Sequence, residues 1–343
     1  AYGAVPGDGL SDRVAFQNAF DAASTTGDGG TLCIGAGRWR MERAPVGSFN
    51  RFAALSTHGK HVTIRGAGPE TVLELAGDQG GGAVAVIAID PGAEHILIRD
   101  LTIDTSAATN TDEQTHAIVT GSACTGAGCA PIRDLQIERV TFRHPKRAGE
   151  RKGDCVRLLG NGPATPVVGV RIANSSFEDC ARSAVGIQRG VSQLVITGNT
   201  FRCTSCDQTI DGEATGGGAD DNIVITGNTF VDGPGAQGDY AIALTSTSRV
   251  AITGNTLNRG ISLYRTALTA VVGNVIDAAP TGPGGLIHVA NTCEDLTISG
   301  NTLRRAGAPG PLIRLTPHSG GVCGGVAITG NTLSQGTPAW AIY

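Results

Sequence analysis

The sequence predicts an all-β solenoid: a single-domain right-handed parallel β-helix spanning residues 1–343, with an N-terminal capping helix. Three observations predict it. A short apolar segment ending in Gly-Asn-Thr recurs along the chain. A second short strand falls between consecutive copies. The composition, with 51 glycines, one methionine and 4% aromatics, provides too few large side chains for an ordinary globular core. Small and β-branched residues must fill the interior, which suits many short strands with tight corners.

The repeat occupies Leu194–Phe201, Ile223–Phe230, Val250–Leu257, Leu296–Leu303 and Val326–Leu333. Degenerate copies occupy Ile96–Ile103, Leu135–Phe142, Val170–Phe177 and Ala270–Ile276. Their central residues are Ile98, Ile137, Ile172, Ile196, Ile225, Ile252, Val271, Ile298 and Ile328, separated by 19 to 39 positions. Apolar residues alternate within each copy, a strand signal rather than a helix signal. The intervening strands begin at Cys155, Ala184, Thr209, Ala241, Leu286 and Leu312. One such unit cannot bury its face alone, whereas coils stacked about 4.8 Å apart can. The coils are expected over residues 60–335, after a cap and first strands over 1–45.

Repeated residue types carry structural expectations. Asn199, Asn228, Asn255, Asn274, Asn301 and Asn331 should stack at one corner. Asn tolerates left-handed backbone, and its amide can bond the next coil. Phe142, Phe177, Phe201 and Phe230 should form an interior stack continued by Leu257, Ile276, Leu303 and Leu333. Before the first strand, Ser11 is placed to cap a helix carrying Val14, Phe16, Ala19, Phe20 and Ala23. That helix would cover the open end of the stack, where bare strand edges invite aggregation.

Charge and hydropathy narrow the function classes. Charged residues make up 16% and apolar residues 40%, the opposite of a disordered chain. Net charge is -4 without a basic block, which argues against nucleic acid as a partner. No apolar run reaches membrane-spanning length, so no membrane partner is expected. Nine cysteines lack the paired spacing and histidines of a zinc site. Disulfides are therefore expected at Cys124–Cys129, Cys203–Cys206 and Cys293–Cys323, with Cys33 free. Disulfides imply a secreted, periplasmic or cell-surface location, and a start at Ala1-Tyr2-Gly3 reads as a processed one.

The opening Gly7-Asp8-Gly9 with Asp12, the Ala15/Gln17/Ala19 helix, Gly29-Gly30 and Gly37 resembles the start of the pectate-lyase-like β-helix superfamily. Trp39 stands where an aromatic is expected, and Ile34-Gly35-Ala36 departs from the usual proline. The resemblance implies the β-helix fold and a polysaccharide as partner. The superfamily holds lyases, hydrolases, C5-epimerases and tailspikes, so the reaction stays open. The GHG motif of polygalacturonases and the DPHE motif of epimerases are absent.

Chemistry is expected on the outward side of the intervening strands, where alternate residues of successive coils form ladders. The outward pairs are Arg157/Leu159, Gly186/Gln188, Asp211/Glu213, Ala243/Thr245, Ser262/Tyr264, His288/Ala290 and Arg314/Thr316. Asp211 and Glu213 share one strand at i and i+2, roughly 6.6–6.8 Å apart. That separation falls within the 6.5–9.5 Å or so of inverting glycosidases, and a carboxylate pair also suits Ca²⁺. The plain alternative is a solvated face carrying two acids. Lys152, Arg182 and Arg189 gather beside this coil and suit an anionic sugar. Asp154 and Asp179 would neutralise some of these cations.

The expected function is an exported enzyme that cleaves a uronate-containing polysaccharide by β-elimination. Its catalytic residues would come from Asp211, Glu213, Arg182 and Lys152, with Arg189 and Tyr264 as further candidates for the base. Arg157, Gln188, Arg189, Tyr264 and His288 would bind substrate, and Asp211 with Glu213 could hold Ca²⁺. Two alternatives stand beside it: a glycoside hydrolase using Asp211 and Glu213 as acid and base, and a non-catalytic glycan-binding β-helix.

Overall fold

The computed structural model describes residues 2–25, 29–46, 52–77, 83–107, 115–121, 130–143, 153–162, 165–213, 219–233, 235–280, 282, 284–307, 309–317, 323–336 and 342–343. Among them, 29 strands join one continuous sheet. All pairings between named strands are parallel except the short contact of Ala44–Pro45 with Phe52–Thr57. The chain is a parallel β-helix, as the repeat requires.

The interior is a set of columns. Ile98, Ile137, Ile172, Ile196, Ile225, Ile252, Val271, Ile298 and Ile328 are each in register with the next. Phe142, Phe177, Phe201 and Phe230 stack with ring centroids 4.6, 4.8 and 4.7 Å apart. Aromatic rings seldom stack so regularly, but identical positions in parallel coils fix this spacing. Leu257, Ile276, Leu303 and Leu333 then carry the column onward.

The corner differs from expectation in one respect. The left-handed backbone lies at Gly198, Gly227, Gly254, Gly273, Gly300 and Gly330, with φ from +62 to +66°, and not at the asparagines. Glycine reaches that region without a Cβ penalty. The next Asn is thereby released to turn inward. From Asn228 onward, each side-chain oxygen accepts from the backbone N–H and the amide of the preceding Asn, as Asn255 does from Asn228 at 2.9 and 3.0 Å; Asn199 accepts from the Ser175 N–H. In earlier coils Asp100, Arg139 and Asn174 occupy the same left-handed corner.

Helix α1 spans Arg13–Ser24 and buries Phe16 and Phe20 against the first coil. Its cap is Asp12 rather than Ser11, and Asp12 makes no side-chain cap bond. Its carboxylate instead accepts from the N–H groups of Val5 and Arg40, stitching the N-terminal arm to the strand Gly37–Met41. Gln17 explains how a helix can close a sheet edge: its amide donates to Ser56 O and accepts from Ser56 N–H, both at 3.0 Å. The side chain thus satisfies backbone groups that a further strand would have met.

Candidate active site

Strand register aligns the first expected ladder throughout and the second in two runs. One column runs Arg157, Gly186, Asp211, Ala243, Ser262, His288 and Arg314. Beside it run Gln188 with Glu213, and Thr245 with Tyr264, Ala290 and Thr316. Asp211 and Glu213 flank Gly212 on the strand Ile210–Glu213. Gly212 faces the core, where a Cβ would meet a Leu244 methyl at 2.9 Å. The two carboxylates thus stand on a strand held tightly to the coil behind it.

Five of the sequence-selected residues form one polar cluster. Arg157 donates from Nη2 to Gln188 Oε1 at 2.6 Å, and Gln188 donates from Nε2 to Glu213 Oε2. Arg182 grips Asp154 with two bonds, Nε to Oδ1 at 3.0 Å and Nη2 to Oδ2 at 2.6 Å. Arg157 Nη1 approaches the same Oδ2 at 3.8 Å. Asp211 completes the group. Arg189 follows Gln188 in left-handed backbone (φ +61°), and its charge reaches Arg157.

Two members of the cluster went unassigned to catalysis by the sequence. Asp154 neutralises Arg182, as expected, but it is also the fully buried hub of the cluster. By alternation it shares the inward parity of Val156 and Leu158, so periodicity hides it. Its carboxylate nonetheless reaches the outward side, because a Cβ on Gly186 would lie 2.9 Å from Asp154 Oδ2. His116 is wholly buried and its Nδ1 accepts from the Asp154 N–H at 3.0 Å. It lies in a degenerate coil with no repeat to mark it. Asp179 does not join the arginines; it accepts from the Thr204 N–H and hydroxyl.

Electrostatics separates the acids. Burial, with the negative charges of Glu213 and Asp154 nearby, pushes the Asp211 carboxyl up to about 7. Asp154 is also pushed up by burial, yet the Arg182 bonds and charge bring it below the usual carboxylate range. Burial opposes the Arg182 charge as well, but Asp154 more than compensates and holds its pKa above the ordinary value. Arg157 is lowered by burial. Burial takes His116 down to about 3, so its ring is neutral at neutral pH. A buried carboxyl poised near neutrality beside a second acid is the pattern of a proton-transfer site.

Arg182, locked onto Asp154 and raised in pKa, suits charge neutralisation and not the role of a base. Lys152 lies outside the described residues, as do Cys124 and Cys129. Tyr264 and His288 stand two and three coils from Asp211 in the ladder. Cys203–Cys206 is oxidised, and Cys33 is the free cysteine among the described residues. Cys323 is disulfide-bonded, with position 293 opposite it in register. The bond Cys155–Cys180 was not foreseen. It staples adjacent coils beside the Asp154–Arg182 ion pair.

Among the described residues, the donor set does not fit Ca²⁺. The cluster offers Asp211 and Glu213, one of which is held by Gln188, while Ca²⁺ takes 6–8 oxygens. Asp154 is committed to Arg182, with the Arg157 guanidinium 3.8 Å from the same carboxylate.

A family model described as the right-handed beta helix region matches residues 94–303. The chain belongs to the right-handed β-helix family. No curated protein sequence matches it. Solved structures do resemble it. The A-module of a mannuronan C-5 epimerase from Azotobacter vinelandii is 19% identical, with TM-score 0.63 over 100% of this chain and 96% of that one. An alginate lyase from Paenibacillus is 14% identical, with TM-score 0.52 over 97% and 96%. A tailspike of Escherichia coli bacteriophage HK620, solved with a pentasaccharide, is 13% identical, with TM-score 0.63 over 98% and 62%. At these identities the likeness is one of fold.

Proposed function

We propose that this β-helix protein is an exported enzyme that cleaves an acidic, uronate-containing polysaccharide at the coil of Asp211 and Glu213. The observation that carries the reading is the Asp211 carboxyl, raised to about 7 beside Glu213 on the outward ladder. Cleavage at a glycosidic oxygen needs a group that holds a proton near neutral pH and can also receive one. Asp211 meets that need. Its neighbours in register, Gly186 and Ala243, carry no side chain larger than a methyl.

The cluster favours an anionic sugar. Arg157, Arg182 and Arg189 bring three positive charges against Asp154 and Glu213, while burial raises the Asp211 carboxyl. In β-elimination the C5 proton leaves first, and charge builds on the sugar carboxylate. The guanidinium groups stabilise that charge. Asp211, ionised, takes the C5 proton; the C4–O bond then breaks, leaving a C4=C5 double bond, and Asp211 passes that proton to the departing oxygen, which leaves as a free hydroxyl. The disulfides and the glycan-associated neighbours of the fold support an extracellular setting.

The spacing of the two acids favours a second reading. Strand geometry sets i and i+2 at roughly 6.6–6.8 Å, which suits inverting hydrolysis with a water between the carboxylates. Mass spectrometry of digested uronans separates the two. Elimination products carry no added water and absorb in the ultraviolet, whereas hydrolysis products gain one water. Binding without any product would leave only the glycan-binding reading.

A further inference from the structure

Beyond Asp211 the outward column is floored by Ala243 and Ser262, and then reaches a second polar cluster at His288. Three coil steps of about 4.8 Å put His288 about 14 Å from Asp211. Both of its ring nitrogens are engaged: Nδ1 with the Tyr240 hydroxyl at 3.1 Å, and Nε2 with the Thr316 hydroxyl at 2.7 Å. Burial and the Arg314 charge push its pKa down, so the ring stays neutral at neutral pH. Tyr264 flanks it in the neighbouring column, 39% exposed, with Arg265 backing its ring at 5.3 Å. Tyr264, His288, Ala290, Asn291, Arg314 and Thr316 line a pocket of about 290 Å³.

Three properties of this pocket converge on a sugar. An exposed aromatic ring offers a flat apolar platform, as a pyranose ring face requires. A rigid neutral network of imidazole and hydroxyls suits sugar hydroxyls, which both donate and accept. Arg314 contributes a guanidinium, the group best shaped for a carboxylate. The pocket also lies on the same ladder as the acid pair, with no side chain larger than serine between them in that column.

Resting on the reading of the Asp211 coil as the cleavage centre, we propose that the Tyr264–His288–Arg314 pocket is a distal saccharide subsite. It holds a uronate unit of the same polymer, which lies along the helix axis with its scissile bond at Asp211. The coil spacing is close to the length of one pyranose unit, so the chain can descend the ladder step for step. The protein therefore selects for chain length: an oligomer too short to reach both positions gives up the distal contacts.

The test is calorimetric binding of 1,4-linked oligouronates to the Asp211→Asn protein, in which the ligand stays intact. Dimers and octamers of mannuronate and galacturonate are compared. The expected result is octamer binding at least about tenfold tighter than dimer binding, or about 1.4 kcal/mol. Adding Tyr264→Ala removes that advantage and leaves dimer affinity unchanged, while Tyr264→Phe, which keeps the platform, retains it. Tyr264 is exposed, so its truncation spares the core. Octamer binding that is no tighter than dimer binding, or an advantage indifferent to Tyr264→Ala, overturns the subsite and leaves the cleavage centre standing. A wild-type protein that neither binds nor cleaves uronates of any length overturns both.

Discussion

Replacing Asn255 with Ala removes four hydrogen bonds from the corner ladder. The side-chain oxygen loses the Asn228 N–H and amide, and the side-chain nitrogen loses Ile225 O and Asn274 Oδ1. Asn274 Oδ1 keeps a donor in the Asn255 N–H at 3.0 Å. The Asn228 N–H and the Ile225 carbonyl lose these partners in a corner where Asn255 is 1% exposed. Each orphaned buried group costs about 1–3 kcal/mol, so the variant should lose about 2–6 kcal/mol. Thr256→Ala, exposed on the same corner, should fall within about 0.5 kcal/mol of wild type. Urea denaturation followed by circular dichroism measures both. Catalysis should be largely kept in Asn255→Ala wherever the protein stays folded. A loss below about 0.5 kcal/mol would show that the ladder ornaments the coil and does not hold it.

Three further outcomes follow from the site and its supports. Asp211 binds its proton more tightly folded than unfolded, so its stabilisation is full below about pH 4 and is lost as pH rises through about 7. Asp211→Asn should therefore raise the melting temperature relative to wild type at pH 8 more than at pH 4; an equal difference at both would remove the raised pKa from the account. Gly186→Ala places a methyl 2.9 Å from Asp154 Oδ2, and a fall in turnover without loss of fold is expected; full activity would mean that the placement of the Asp154 carboxylate does not matter to the site. Replacing both Cys155 and Cys180 with Ala should cost about 3 kcal/mol for a loop of this size, measured by denaturation, whereas a change under about 1 kcal/mol would show the staple to be redundant.

The sequence made the fold legible because a solenoid repeats its physics. Identical apolar positions at Ile196, Ile225 and Ile252 demand identical surroundings, and only stacking provides them. The same alternation located Asp211, Glu213, Gln188 and Arg157, since period two settles which side chains face out. It failed at Asp154, whose inward parity conceals a carboxylate that bends beneath a glycine. It also failed at His116, which no repeat accompanies. The Cys155–Cys180 bond was readable in principle, because its separation of 25 is close to the coil length. The division of labour between Gly and Asn at the corner was not, because both residues tolerate the left-handed region and only backbone angles decide.

Cleavage of a uronate polymer at the coil of Asp211 and Glu213, as proposed, can be tested directly. The direct measurement is digestion of a panel of uronans with product masses read by mass spectrometry, for wild type, Asp211→Asn and Glu213→Gln. Wild type should yield unsaturated oligouronates from at least one polymer, and each variant should lower turnover by about 10²–10⁴-fold while folding normally. Wild-type cleavage that persists undiminished in both variants, or no product from any uronan, would contradict the account.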